Sequence, residues 1–239
     1  MNELNFSADR SSRLLYKAGG WTAVLFLAYT FTALLIFAFV GKGYPESALE
    51  CFDMLNENMF TALLRLDIVS VIVIPFYYLL FFSIYQSLKK NNELFAKIGL
   101  FCTLAGVTIF ISGLNITSIV ILSNKYHMTD SPEMRQHFLA ACEGMLAEDM
   151  WINTGSIIRG ILIEAGAVIF SILMLKTLIF NKATGIVGLL THGFDFMSII
   201  IGIFYAPMKE IFTMVAGPLY VVWFVMVGIG LFRLSKIKI

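Results

Sequence analysis

Six stretches of this chain stay apolar for the length of a membrane crossing, and that feature decides most of what it can fold into. They run over about 18–40, 60–88, 98–123, 151–175, 184–206 and 211–232. Crossing a bilayer takes about 20 residues of helix, and in lipid each backbone N–H and C=O must find its partner within the spanning segment. The expectation is an all-α polytopic membrane protein: a six-transmembrane-helix bundle, one domain over residues 1–239, with the lipid bilayer as its first partner. Composition agrees. The chain is 59% hydrophobic and 14% charged, with a mean hydropathy of +0.83, whereas soluble domains carry about 25% charged residues. A net charge of +1 gives no reason to expect nucleic acid. The first run, Ala18–Val40, is too long for a cleaved leader and lacks a small-residue cleavage pattern, so it reads as an uncleaved anchor.

Basic residues set the orientation. One side would carry Arg10, Arg13, Lys17, Lys89, Lys90, Lys97, Lys176, Lys182, Arg233, Lys236 and Lys238; the other, only Lys42, Lys125, Arg135 and Lys209. The positive-inside rule places the richer side, and with it both termini, in the cytoplasm. The implied location is a cell (plasma) membrane, crossed several times. Trp21, Tyr44, Tyr126, Trp151 and Tyr205 near the ends of the runs suit the membrane interface. Pro75 and Pro218 are expected to bend the second and sixth spans.

Two outer loops are long enough to have structure. In the second, Ser131 and Pro132 form a helix start, and Met134, Phe138, Cys142, Met145 and Met150 recur near helical spacing. This predicts an amphipathic outer helix over about 132–150, either a lid or a shield. Of three cysteines, Cys51 and Cys142 fall in these outer loops, where a disulfide could form; Cys102 lies inside the third span. Asn115–Ile116–Thr117 matches the glycosylation pattern but lies inside a span.

The segment RGILIEAG, residues 159–166, places an arginine and a glutamate inside an apolar run. Six ionisable residues fall within spans in all: Arg65, Asp67, Arg159, Glu164, His192 and Asp195. A charge at mid-bilayer costs about 2.5–3.5 kcal/mol even on lenient scales, so these groups should face the protein interior and one another. On the fourth span Asn153, Ser156, Gly160, Glu164, Ala167 and Ser171 form one small, polar stripe; on the fifth, Gly185, Gly188, His192, Asp195 and Gly202 form another. His192 and Asp195 are i,i+3 neighbours, and Asp195 is expected to orient the imidazole. Arg159 should find its partner on another helix. With Asn115 added, the polar groups run from mid-membrane outward and imply a cavity opening to the outer side. Two arginines oppose three carboxylates, so a neutral His192 leaves one negative charge, which a proton on Glu164 or Asp195 would balance.

Specific chemistries leave thin signals. A metal needs three good ligands; His192 and Asp195, with Glu164 and a dipping His137, are the nearest approach to a zinc set and lack a spacing motif. The multi-histidine pattern of ceramidase-type intramembrane hydrolases is absent, as are a nucleophile elbow, a phosphate loop and a dinucleotide fingerprint. The sequence leaves the cofactor unknown. A proton-coupled transporter is open on charge grounds but lacks an inverted repeat.

The second span and its exit, RLDIVSVIVIPFYYLLFFSIYQSLKKNNELFAKIG, with Arg65, Tyr85 and Lys89–Asn92, resembles a bacterial integral membrane family known only as domain of unknown function 4386. The closing stretch GPLYVVWFVMVGIGLFRLSK, with Gly228 and Gly230 before a basic end, is similar to that family's last helix. The resemblance implies a six-helix bacterial membrane protein without an established activity, with Arg65 as a family feature. Two readings of function follow. One is binding or sensing of a small ligand, an ion or a lipid headgroup by Arg65, Asp67, Asn115, Arg159, Glu164, His192 and Asp195. The other is an intramembrane lipid hydrolase using Glu164, His192 and Asp195.

Overall fold

The computed structural model describes residues 10–40, 44–149 and 153–237, and every regular element among them is helical. The elements are α1 (Arg10–Phe39), α2 (Ala48–Glu57), α3 (Met59–Arg65), α4 (Ile68–Val73), a 3-10 turn (Ile74–Phe76), α5 (Tyr77–Leu88), α6 (Glu93–Ser112), α7 (Ile116–Met128), α8 (Pro132–Asp149), α9 (Thr154–Leu175), α10 (Lys182–Gly202) and α11 (Ala206–Ser235). Six segments are long and apolar enough to cross a membrane: Arg10–Ile36, Ile68–Leu88, Glu93–Met128, Thr154–Leu175, Lys182–Gly202 and Pro207–Ser235. The chain is a multi-pass membrane protein. The expectations for Met150 and Trp151 lie outside the described residues.

Two spans depart from the single helices expected of them. The second starts at Ile68 instead of residue 60, because Asp67 adopts a left-handed conformation (φ 56°, ψ 46°) between α3 and α4. A short polar side chain tolerates that conformation where most residues would not. Further along, Pro75 brings no N–H and the helix tightens into the 3-10 turn before continuing as α5. The third span is broken between Ser112 and Ile116, where Asn115 Nδ2 donates to the Gly113 carbonyl at 3.1 Å.

Contacts divide the chain into two compact units. The first comprises residues 1–28, 75–108 and 159–239; the second, 29–74 and 109–158. In the first unit, α1 packs on α5 and α11: the Ser83 hydroxyl donates to the Leu15 carbonyl at 3.0 Å, and Trp21 meets Phe232 edge-on at 5.5 Å. α6 and α9 touch backbone to backbone. A Cβ on Gly106 would lie 2.8 Å from the Arg159 carbonyl oxygen, and one on Gly166 would lie 2.6 Å from the Gly99 carbonyl oxygen. Small residues permit this approach, which in lipid supplies packing that the hydrophobic effect does not.

The second unit is built around Cys51, Phe52, Leu55, Leu66, Ile119, Cys142 and Leu146, drawn from α2, α7, α8 and the end of α3. The predicted outer helix exists as α8, started by Ser131, whose hydroxyl accepts from Met134 N–H at 3.3 Å. It buries Cys142 and Leu146 in this core and leaves Met134 exposed. Helix α2 was not expected, yet Ser47 and Glu50 are a capping box in plain sequence. Glu50 N–H donates to the Ser47 hydroxyl at 3.2 Å, and Glu46 N–H donates to the Glu50 carboxylate at 2.8 Å.

Candidate functional site

Glu164 and His192 occupy the middles of two apolar helices, and the fold joins them. Glu164 lies ten residues past Thr154, ~15 Å along α9 at 1.5 Å per residue. Glu164 Oε2 sits 2.7 Å from His192 Nδ1 of α10. The residues are 6% and 2% exposed. A Cβ on Gly185 of α10 would lie 2.9 Å from the Ser171 carbonyl oxygen of α9. Glycine lets α9 and α10 approach until their mid-length side chains are level.

Asp195 does not orient the histidine, contrary to the sequence expectation. Its carboxylate accepts from the Tyr220 hydroxyl at 2.8 Å and from the Ser198 hydroxyl at 3.2 Å. The spacing i,i+3 puts Asp195 on the same face as His192 but one turn further along, where α11 supplies a nearer donor. Two carboxylates therefore flank one imidazole, one bonded to it and the other bonded to the tyrosine packed against it.

The imidazole is enclosed by aromatic rings. Trp223 stands edge-on to it at 4.4 Å between centroids and Tyr220 at 5.3 Å. Tyr220 and Trp223 are three residues apart on one face of α11. Beyond them the rings continue through Phe224, Phe26 and Tyr77 to Phe81, with successive centroids 5.3–6.0, 5.4, 3.8 and 5.4 Å apart. This wall holds Tyr220 and Trp223 in place. It also borders the Glu164–His192 pair, which is almost fully buried.

Two polar atoms of this cluster are left over. His192 Nε2 and Trp223 Nε1 are buried with no hydrogen-bond partner. Leaving a buried polar group unsatisfied costs about 1–3 kcal/mol, and native proteins rarely do so without a reason. With Nδ1–H donating to Glu164, Nε2 is an acceptor; in the doubly protonated ring it is a donor. The indole N–H can only donate. Gly188 keeps the space beside the indole clear, since a Cβ there would overlap Ser171 Oγ and come within 2.7 Å of Trp223 Nε1.

The remaining candidates have partners of their own. Arg65, at the end of α3, lies 3.6 Å from Glu50 of α2, and its Nη1 donates to Met54 Sδ at 3.0 Å. Asp67 accepts from the Tyr29 hydroxyl at 2.6 Å. Asn115 closes the break between α6 and α7 and reaches Glu148 Oε2 at 3.5 Å. All three belong to the second unit, where Arg65 and Asp67 flank the turn between α3 and α4 and Asn115 sits at the break between α6 and α7. Sequence placed Arg65 and Asp67 inside a span because the left-handed turn at Asp67 leaves no mark on apolar periodicity. Arg159 is half-buried on α9 with its carbonyl against α6. Among the described residues no three His, Cys, Asp or Glu gather to hold a metal ion, and His192 Nδ1 and both Asp195 oxygens already have protein partners.

Sequence reading passed over Tyr220 and Trp223. Their signal was the polar tip each carries at mid-span: a buried Tyr O–H or Trp N–H asks for a partner. Away from the pair, a groove of about 330 Å³ lies between Asn91, Asn92 and Phe95 at the start of α6 and Ile169, Ile172, Leu173 and Lys176 on α9. In the second unit Cys51 and Cys142 are free thiols, both fully buried. The proximity of the two thiols lowers the Cys51 pKa and, with burial, raises that of Cys142. No family model, no curated protein and no solved structure matches this chain.

Proposed function

We propose that this protein binds a small polar ligand at mid-membrane, on the His192 Nε2 and Trp223 Nε1 edge of the Glu164–His192 pair. The reading rests on one observation: two buried polar atoms, on rings whose centroids are 4.4 Å apart, have no hydrogen-bond partner among the described residues. Because the indole N–H only donates, the ligand must offer an acceptor oxygen, of hydroxyl, carbonyl or carboxylate type. His192 then fixes its orientation, and Glu164 fixes His192. Burial of the site calls for a binding or sensing role in which the ligand enters by helix motion. A bacterial plasma membrane and kinship with domain of unknown function 4386 remain part of the same proposal.

A thermal-shift screen of small oxygen-bearing compounds on detergent-purified protein tests this. A true ligand at 100 times its Kd stabilises by about 2.7 kcal/mol. The variant Trp223→Phe, which removes the indole donor and keeps an aromatic ring, should weaken that ligand about tenfold, the equivalent of one hydrogen bond. Equal affinity in both proteins would take Trp223 out of the site and remove the basis of the proposal.

A second reading has its own observation. A carboxylate on Nδ1 with Nε2 open is the acid–histidine half of a hydrolytic relay. An intramembrane lipid hydrolase would use Nε2 to deprotonate a water, with Asp195 acting through Tyr220. It predicts that Glu164→Gln abolishes turnover of a lipid ester while ligand binding survives; the binding reading predicts no turnover in either protein.

A further inference from the structure

Cys51 and Cys142 come from helices distant in sequence, yet both end fully buried in the same apolar core of the second unit. The two helices are pinned at that level: Ala48 N–H, on the same face of α2 as Cys51, donates to Oε1 of Glu143, the residue after Cys142, at 2.8 Å. Phe52, Leu55 and Leu146 close around the thiols. We propose that Cys51 and Cys142 form an intramolecular disulfide that locks α2 to α8.

A buried cysteine by itself only packs as a small apolar side chain. Here the fold brings together two of the chain's three cysteines, and the basic-residue bias places α2 and α8 on the non-cytoplasmic side, where disulfides persist. The neighbouring Cys142 thiol favours the Cys51 thiolate, with burial and Glu50 opposing and Arg65 assisting. That makes Cys51 the first nucleophile. The oxidant is a protein or small-molecule disulfide of that compartment. The Cys51 thiolate attacks one of its sulfurs, forming a mixed disulfide and releasing one thiol. Cys142, after losing its proton, attacks Cys51 Sγ; the new Sγ–Sγ bond forms and the second thiol leaves. Two electrons pass from the cysteines to the oxidant, and the two cysteine protons end on the two released thiols. Because both sulfurs are buried, the bond closes during folding or a transient parting of α2 from α8, and afterwards it is shielded from reductants.

The test is thiol counting on the full chain, purified in mild detergent, treated with oxidised glutathione, then denatured. Alkylation without reductant should label Cys102 alone; after reduction all three cysteines should be labelled. Digestion without reduction should yield one peptide joining the Cys51 and Cys142 segments. In Cys51→Ser the unreduced protein should take two labels, and in Cys102→Ser none. Counting is done on denatured protein, so it reads correctly even where a variant folds poorly. Three labels before reduction, or a linkage between two chains instead of within one, overturns the proposal.

Discussion

Replacing Glu164 by leucine should be strongly destabilising, and replacing His192 by leucine as well should restore most of the loss. The pair is 2.7 Å apart and almost fully buried. Glu164→Leu leaves His192 with neither ring nitrogen bonded, since Nε2 already has no protein partner. An orphaned neutral group costs about 1–3 kcal/mol and a stranded charge about 3–5 kcal/mol. The double replacement removes both polar groups, and apolar substitution of a whole buried pair is often neutral. The cycle should therefore show a coupling of at least about 1.5 kcal/mol. Equilibrium unfolding in mixed detergent micelles, for the parent, both single variants and the double variant, measures it. Additive losses, with coupling below about 0.5 kcal/mol, would mean the two side chains do not meet as described.

Other parts of the fold give sharper contrasts. Gly106→Ala should destabilise by about 1–3 kcal/mol, because its Cβ would press on backbone atoms of Arg159 and Ile163, whereas Gly193→Ala meets nothing within 4 Å and should gain up to about 1 kcal/mol from helix propensity; thermal unfolding of the two compares them directly. Ser47→Ala removes the cap of α2 and should cost about 1 kcal/mol, read as faster hydrogen exchange over Ala48–Cys51. Asn153→Ala should cost about 1–2 kcal/mol, because Asn153 accepts from Ser156 N–H at 2.7 Å while donating to the Ala147 and Glu148 carbonyls. Unchanged stability there would remove Asn153 as the joint between α8 and α9.

Apolar run length carried the spans, because lipid leaves a backbone no alternative to internal hydrogen bonding. It also carried Glu164 and His192 as interior groups, since their cost at mid-membrane forbids a lipid-facing position. It did not carry which partner each would take. Asp195 looked like the natural companion of His192 because i,i+3 is visible in sequence, while Glu164 reaches His192 through the close approach of α9 and α10, which meet at Gly185. Arg65 and Asp67 were misplaced for a related reason. One residue with positive φ moves the start of a span, and nothing in the hydropathy of RLDIVSV records it. Helix α2 was legible through Ser47 and Glu50, but its polar surface lacks the long apolar run that drew attention elsewhere.

Native mass spectrometry of the protein released from mild detergent bears most directly on the mid-membrane site. The account predicts a stoichiometric small non-protein mass on the parent chain that is absent from His192→Ala and reduced in Trp223→Phe. A bare chain mass for the parent, or a bound mass that survives both substitutions, would contradict it.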